Sequence, residues 1–322
     1  MALNIIETRQ VFQQELDRQM MEGLTSSFMD ANAGQVIYNG GSEIKIPKLS
    51  MTGLKDYSRS DGYPSGSITL EYETRTMKKD RGAGFQIDST EVDESGFVAS
   101  AGMVLGEFQR TKVIPEVDAY RYSTLTQLAK DNAVVSAVTE SNIYKLLVKD
   151  IVEVQDKVGE STPLVCCMSG KAKGFLYAST EFSKNIDVAD FKRGEITTKV
   201  RQVNNVPILG VPSDRMYNRY FFEPGDLEDP GKSGFKKLED AVLTDWIIMP
   251  LAAAIGVCKQ DKGKIIEPET NQKADAWFIG YRKYHDVWVK DSQLPAVLPH
   301  FSKTPVWETA EVQPSGDAGG KS

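Results

Sequence analysis

A change of hydrophobic period between Asp80 and Leu125 constrains the fold of this chain more than any other feature. Phe85 and Ile87 are spaced two residues apart, as on one face of a strand. Further along, apolar residues recur every three or four positions, so they share one face of a helix. These residues are Phe97, Ala101, Val104, Leu105 and Phe108. The apolar face continues beyond Pro115, so the segment predicts a strand and then one long helix, kinked or briefly broken at that proline.

Two extended runs upstream of this segment predict a hairpin. Residues 42–49 and 67–77 have strand character, and Ile68, Leu70 and Tyr72 alternate with polar residues. The interval between the runs is polar and rich in turn residues, which indicates a long, hydrated tip. A two-stranded hairpin is marginally stable alone in water, so its apolar side needs a cover. A long helix beside a long hairpin suits a thin subunit that lies along its neighbours.

Alternating helices and strands predict a compact α/β lobe over residues 131–258. A helix at 139–158, capped by Thr139 or Ser141, precedes its strands. The other predicted elements are strands at 163–168, 206–211, 246–249 and 255–259, a short helix starting at 250–254, and an exposed Gly- and Pro-rich loop at 223–234. A long strand at 276–289 would then return the chain to the long helix.

Composition and charge exclude several classes of protein. With 40% hydrophobic and 26% charged residues, the 322-residue chain has the composition of a soluble globular protein. It contains neither an apolar run long enough for a membrane span nor a secretory signal pattern. A net charge of −7 without a basic cluster argues against sequence-reading DNA binding, but it permits the wall of a container that encloses DNA. Cys166, Cys167 and Cys258 are interpreted as buried thiols in a reducing cytosol.

The sequence carries no recognisable catalytic or cofactor motif. Each Gly-Lys pair lacks the upstream glycine of a phosphate-binding loop, and the glycines at 82 and 84 are expected to turn the chain between strand and helix. The two histidines, His285 and His300, form no paired metal motif. Counting alone leaves a Ser/His/Asp triad open, although no G-x-S-x-G elbow supports one. We therefore predict no enzyme activity, no cofactor and no metal.

Two phrases carry a resemblance to a known family. The first comprises residues 80–94 (DRGAGFQIDSTEVDE) followed by 113–121 (VIPEVDAYR), and the second is 281–286 (YRKYHD). With these phrases and with the order of elements between them, the chain resembles the major capsid protein of tailed bacteriophages, the Hong Kong 97 type fold. The resemblance extends from about residue 5 to about residue 300.

The resemblance implies an α+β fold with a long spine helix, an extended β-hairpin loop, a peripheral domain and an axial α/β lobe. The implied domains are an N-terminal arm at 1–30, the extended hairpin at 31–85, a peripheral domain with the spine helix at 86–130 and 259–307, the axial domain at 131–258 and a disordered tail at 308–322. The periodicity predicts a helix over residues 5–25. This helix either packs on its own core or lies as an arm beneath a neighbour.

The implied function is structural. Many copies of the chain would form hexamers and pentamers of an icosahedral virion shell that encloses double-stranded DNA, assembled in the bacterial cytoplasm. Expected partners are the chain itself, a portal, possible decoration proteins and a separate scaffolding protein, because the arm starts almost at Met1 and leaves no room for a fused scaffold. The alternatives are an encapsulin-like bacterial compartment or, with less support, a small-molecule α/β enzyme.

Three groups of residues are predicted to contact neighbouring subunits. The group on the hairpin tip contains Lys55, Asp56, Tyr57, Arg59, Asp61 and Tyr63. Phe12 and Leu16 represent the arm. The third group lies on the 223–234 loop, a candidate axial loop, and contains Glu223, Asp226, Glu228, Asp229 and Lys232.

Overall fold

Four sheets, one of which contains a projecting hairpin, form the described part of the chain together with one long helix and several shorter helices. The computed structural model describes residues 23–38, 41–60, 62–88, 101–184, 187–193, 196–225, 233–272 and 274–307. The predicted arm with Phe12 and Leu16, and the predicted tail at 308–322, lie outside these residues.

The strands and helices follow in chain order. The strands are β1 Ile37–Tyr38, β2 Glu43–Met51, β3 Ile68–Thr76, β4 Lys79–Asp88, β5 Val134–Val135, β6 Leu164–Ser169, β7 Asp187–Arg193, β8 Ile196–Val203, β9 Val206–Val211, β10 Tyr220–Phe222, β11 Phe235–Lys237, β12 Thr244–Pro250, β13 Ala254–Ile266, β14 Ala276–Val289 and β15 Leu298–Phe301. The helices are α1 Ala101–Phe108, α2 Ile114–Leu128, α3 Ile143–Val158, α4 Gly170–Ala178 and α5 Thr180–Lys184.

The predicted long helix is present over residues 101–128. Its two α-helical parts, α1 and α2, are joined by a π-helical turn, Gln109–Val113, that ends just before Pro115. A proline ring collides with the carbonyl four residues earlier in a regular helix, and a π turn widens the backbone where this would occur. The helix therefore passes Pro115 without a break.

Three long antiparallel strands form the sheet under this helix, in the order β13-β14-β4. The predicted strand at 276–289 is confirmed as β14. The expected turn at glycines 82 and 84 is wrong, because both lie inside β4. Gly84 pairs with Gly280, and a Cβ on either would meet the Phe278 ring at about 3.0 Å. The glycines therefore leave room for an aromatic ring that lies across the sheet.

A seven-stranded mixed sheet forms the second part, in the order β5-β15-β12-β6-β9-β8-β7. The predicted helix before it is α3, although its N-cap is Asn142 rather than Thr139 or Ser141. The predicted helix start at 250–254 is wrong. This stretch is a tight turn between β12 and β13, which belong to different sheets, and the connection overrides the helix propensity of its alanines.

The strand β15 pairs with β12 and β5 inside the seven-stranded sheet. The predicted domain division had placed this stretch in the peripheral domain, so the lobe draws on the chain beyond residue 258. The division into domains as a whole stays a prediction.

The long helix belongs to two hydrophobic cores. Leu105 in its first half and Val117 just past its middle pack with Ile279 of β14. Further along, Tyr122 and Leu125 pack with the strands of the lobe and with Val287 at the end of β14. The helix thus connects the three-stranded sheet to the lobe.

Candidate assembly surface

The projecting hairpin is the most exposed apolar element of the described chain. β2 and β3 pair from Glu43↔Thr76 to Met51↔Ile68, which confirms the predicted hairpin. Its base is attached to the body, because Ile44 and Ile46 are buried in a cluster with Ile255 and Trp288. The distal half extends beyond that cluster.

The apolar face of the hairpin changes sides along its length. At the base, the buried residues Ile44 and Ile46 occupy the even positions of β2. In the distal half, the apolar residues of β2 occupy odd positions, and their cross-strand partners on β3 are apolar too. These distal residues are Leu49, Met51, Ile68, Leu70 and Tyr72, between 50% and 72% exposed. We call this set the distal apolar face.

The side that the body covers is polar in the distal half. Lys48 lies on the same face as Ile46 and is 3.7 Å from Asp291, which follows β14. The distal apolar face therefore points away from the surface on which the hairpin base rests. A contiguous apolar surface of this kind marks a contact site for another molecule.

The hairpin tip is folded onto itself by polar contacts. Lys55 Nζ donates a hydrogen bond to the Ser65 carbonyl at 2.9 Å, and the rings of Tyr57 and Tyr63 meet edge to face at 5.3 Å. Asp56 and Arg59 are also exposed, whereas Asp61 lies outside the described residues. The structure thus brings Tyr57 and Tyr63 together and ties Lys55 to Ser65, and the role of these residues in subunit contacts stays a prediction.

The predicted axial loop is attached at its base to the three-stranded sheet and the long helix. Arg81 of β4 donates hydrogen bonds to the carbonyls of Glu223 and Gly234, and its Nε lies 2.7 Å from Glu116 of α2. Asp226, Glu228, Asp229 and Lys232 lie outside the described residues. The base of the loop is thus held by Arg81, and the role of the loop at a ring axis stays a prediction.

A buried polar cluster joins three parts of the chain. The fully buried carboxylate of Asp118 on α2 accepts hydrogen bonds from the backbone N–H and hydroxyl of both Thr25 and Ser26. It also accepts one from Arg215 Nη1 at 2.9 Å. One turn further along α2, Arg121 binds Asp30 with both terminal nitrogens. Two carboxylates thus face two guanidinium groups, which balances the buried charge.

Sequence reasoning missed the distal apolar face and the buried cluster around Asp118. The distal apolar face was visible as an alternating pattern on β3, but the residues chosen as contacts were those of the tip. The cluster around Asp118 gave no local signal, because Thr25 and Arg215 lie 93 and 97 residues away in sequence.

A buried histidine has the hydrogen-bond order of a catalytic triad. His300 Nδ1 lies 2.7 Å from Asp150 Oδ2, and Nε2 lies 3.0 Å from Ser136 Oγ. The imidazole is fully buried, and Trp246 stacks on it with ring centroids 4.0 Å apart. Since a nucleophile needs space for its substrate beside the base, this arrangement favours a structural role.

The second histidine, His285, is buried among cations. Burial lowers the pKa of His285 well below its usual value, and Arg121, Lys283 and Lys79 lower it further. Its Nδ1 has no hydrogen-bond partner among the described residues, and its ring lies edge to face against Tyr120. His285 is therefore neutral in the folded chain near pH 7.

Other chemical sites find little support in the described ranges. No group of three or more His, Cys, Asp or Glu side chains there could hold a metal ion. Cys166 and Cys167 are buried as predicted, and burial raises the pKa of Cys167 to about 12, but Cys258 is exposed. None of the described helices combines the length and apolar character needed to cross a membrane.

Comparison with solved structures identifies the fold. The capsid of cyanophage P-SCSP1u matches with a TM-score of 0.55 and 11% identity over 81% of this chain and 83% of its own. The mature capsid of bacteriophage PhiM1 matches with a TM-score of 0.54 and 12% identity over 82% and 83%. A structure from Mycobacterium phage Che8 matches with a TM-score of 0.52 and 11% identity over 81% and 84%.

The chain therefore has an α+β fold of the Hong Kong 97 type, the fold of phage major capsid proteins. The resemblance noticed in the sequence is confirmed at the level of the fold. No protein-family model matches the sequence, and no curated protein is significantly similar to it.

Proposed function

We propose that this chain is a shell-forming structural subunit, the major capsid protein of a tailed bacteriophage. The observation that carries the proposal is the distal apolar face, which points away from the chain's own body. A second copy of the chain is its proposed cover. The fold shared with phage capsid structures supports a repeated, closed arrangement of copies.

The free energy gained when a neighbour covers the distal apolar face is large enough to drive association. Complete burial of one large apolar side chain contributes about 1.5–3 kcal/mol. The five side chains of this face are at least half exposed, so a neighbour that covers them gains roughly 4–9 kcal/mol per hairpin before the cost of association. Each subunit contributes one hairpin and covers that of a neighbour, and such head-to-tail contacts form a ring when the rotation between neighbours closes.

The charge of the chain suits the wall of a container for DNA. A net charge of −7 disfavours tight binding to packed phosphates, which would hinder the release of the genome. We propose that the shell encloses double-stranded DNA without reading its sequence. The proposed location is the virion after assembly in the bacterial cytoplasm, and the proposed partners are a portal, a separate scaffolding protein and possible decoration proteins.

A structural role also agrees with the buried polar groups. His300, the base of the triad-like arrangement, has no exposed surface on which a substrate could rest. We therefore propose that the chain acts through assembly and not through catalysis.

Particles purified from the native source test the phage assignment. We expect shells that contain double-stranded DNA of one length and carry a portal at one vertex. Shells without DNA or portal that enclose a cargo protein would instead identify a compartment, and this outcome would overturn the phage assignment while the shell function stands.

A further inference from the structure

Asp118 lies on the long helix between its contacts with the three-stranded sheet and its contacts with the lobe. Its neighbour Val117 packs on the three-stranded sheet, and Tyr122, one turn later, packs in a core that combines strands of the lobe with Val287 and Val289 at the end of β14. Asp118 therefore lies at the point on the long helix where contacts with the lobe begin.

The ion pair of Asp118 spans this boundary. Arg215 lies in the short 3-10 turn Ser213–Arg215, directly after strand β9 of the lobe. Thr25 and Ser26, by contrast, belong to the segment that enters the body from the N-terminal side. Rotation of the lobe about the helix would move Arg215 while the contacts to Thr25 and Ser26 remain in place.

The remaining contacts still stabilise the buried Asp118 carboxylate when Arg215 is replaced. Four hydrogen bonds from Thr25 and Ser26 still solvate it, and Arg121 stays one turn away on the same helix. A buried carboxylate with several donors tolerates burial far better than one without them. We therefore expect the chain to fold without the Arg215 contact, so that this contact can be tested separately as a constraint on the lobe.

We propose that the Asp118–Arg215 ion pair fixes the angle between the lobe and the helix and thereby sets the curvature of the shell. This inference rests on the proposed function. In a closed shell of identical subunits, a change of shape within the subunit changes the tilt between neighbours and so the number of copies that close the shell. Arg215 and Asp118 are positioning residues in this sense, because they act through the lobe.

The experiment compares the particle sizes formed by three chains. Arg215→Ala removes the ion pair between the long helix and the lobe. Arg219→Ala is the matched control, because Arg219 lies four residues later, is equally buried and pairs with Asp240 of its own lobe. Each full-length protein is assembled under the same conditions, and diameters are measured by cryo-electron microscopy and sedimentation velocity.

We expect one diameter for the parent chain and for Arg219→Ala, and a shifted or broadened distribution for Arg215→Ala. Should Arg215→Ala fail to fold, Arg215→Gln keeps a donor beside the carboxylate without the charge and is measured instead. Unchanged diameters in the folded Arg215 variant overturn the inference and leave the proposed function intact. Absence of shells from the parent chain contradicts the proposed function itself.

Discussion

Replacing Leu70 by glutamate should abolish assembly while the subunit stays folded. Leu70 is 55% exposed in the subunit and lies opposite Leu49 at the centre of the distal apolar face. Covering its remaining surface contributes about 1–1.5 kcal/mol per contact. A glutamate there would also be buried without a partner, which costs about 3 kcal/mol or more. The combined loss of about 4 kcal/mol weakens each contact roughly 1000-fold.

The matched control for Leu70→Glu is Thr69→Glu. Thr69 is the preceding residue on β3, it is exposed, and it lies opposite Ser50 on the other face of the hairpin. Both variants add the same charge to the same strand, so only the face differs. Light scattering follows assembly, and urea unfolding reports the stability of the subunit, which we expect to change by no more than about 0.5 kcal/mol in either variant.

The two variants together test whether the distal apolar face contacts a neighbouring subunit. We expect shells from Thr69→Glu and dispersed subunits from Leu70→Glu. Normal assembly of Leu70→Glu would refute the assignment of this face as a contact. Equal loss of assembly in both variants would show that charge on the hairpin matters and that the face does not.

Three further predictions follow from single residues. Leu105→Asp buries an unpaired charge and should cost at least about 4 kcal/mol of folding stability, whereas Met103→Asp on the exposed side of α1 should be tolerated. If urea unfolding showed the Leu105→Asp protein to be stable, the packing of this helix would be contradicted. Trypsin should cut rapidly at Arg59 in dissociated subunits and slowly in shells, and equal cutting would place the tip outside the interface. The pKa of His285 lies well below 6.5 in the folded chain, so the unfolded chain binds an extra proton below that pH, and the free energy of unfolding should fall as the pH drops from 7.5 to 5.5. His285→Gln should reduce this loss, and an unchanged dependence of the unfolding free energy on pH would exclude His285 as its source.

The parts predicted well from the sequence are those with a long, unbroken hydrophobic period. β14 and the hairpin follow period two, and α3 follows the helical period, so local pattern and tertiary packing agree. The errors arise where tertiary contacts decide. The turn at 250–254 has helix-forming alanines but joins two sheets, and the glycines of β4 accommodate the ring of Phe278.

The assembly surface was predictable only in part, for a related reason. The alternation of Ile68, Leu70 and Tyr72 indicated an apolar side, but only the register with β2 shows that the buried base uses the opposite face. The ion pair of Asp118 with Arg215 joins distant parts of the chain, and isolated charged residues in a sequence do not reveal their partners.

A cryo-electron microscopy reconstruction of particles formed by the purified chain tests the central claim most directly. The account predicts a closed shell in which the distal apolar face of each hairpin, from Leu49 to Tyr72, is covered by a neighbouring copy. A chain that stays monomeric under assembly conditions, or a shell in which this face remains exposed to solvent, would contradict it.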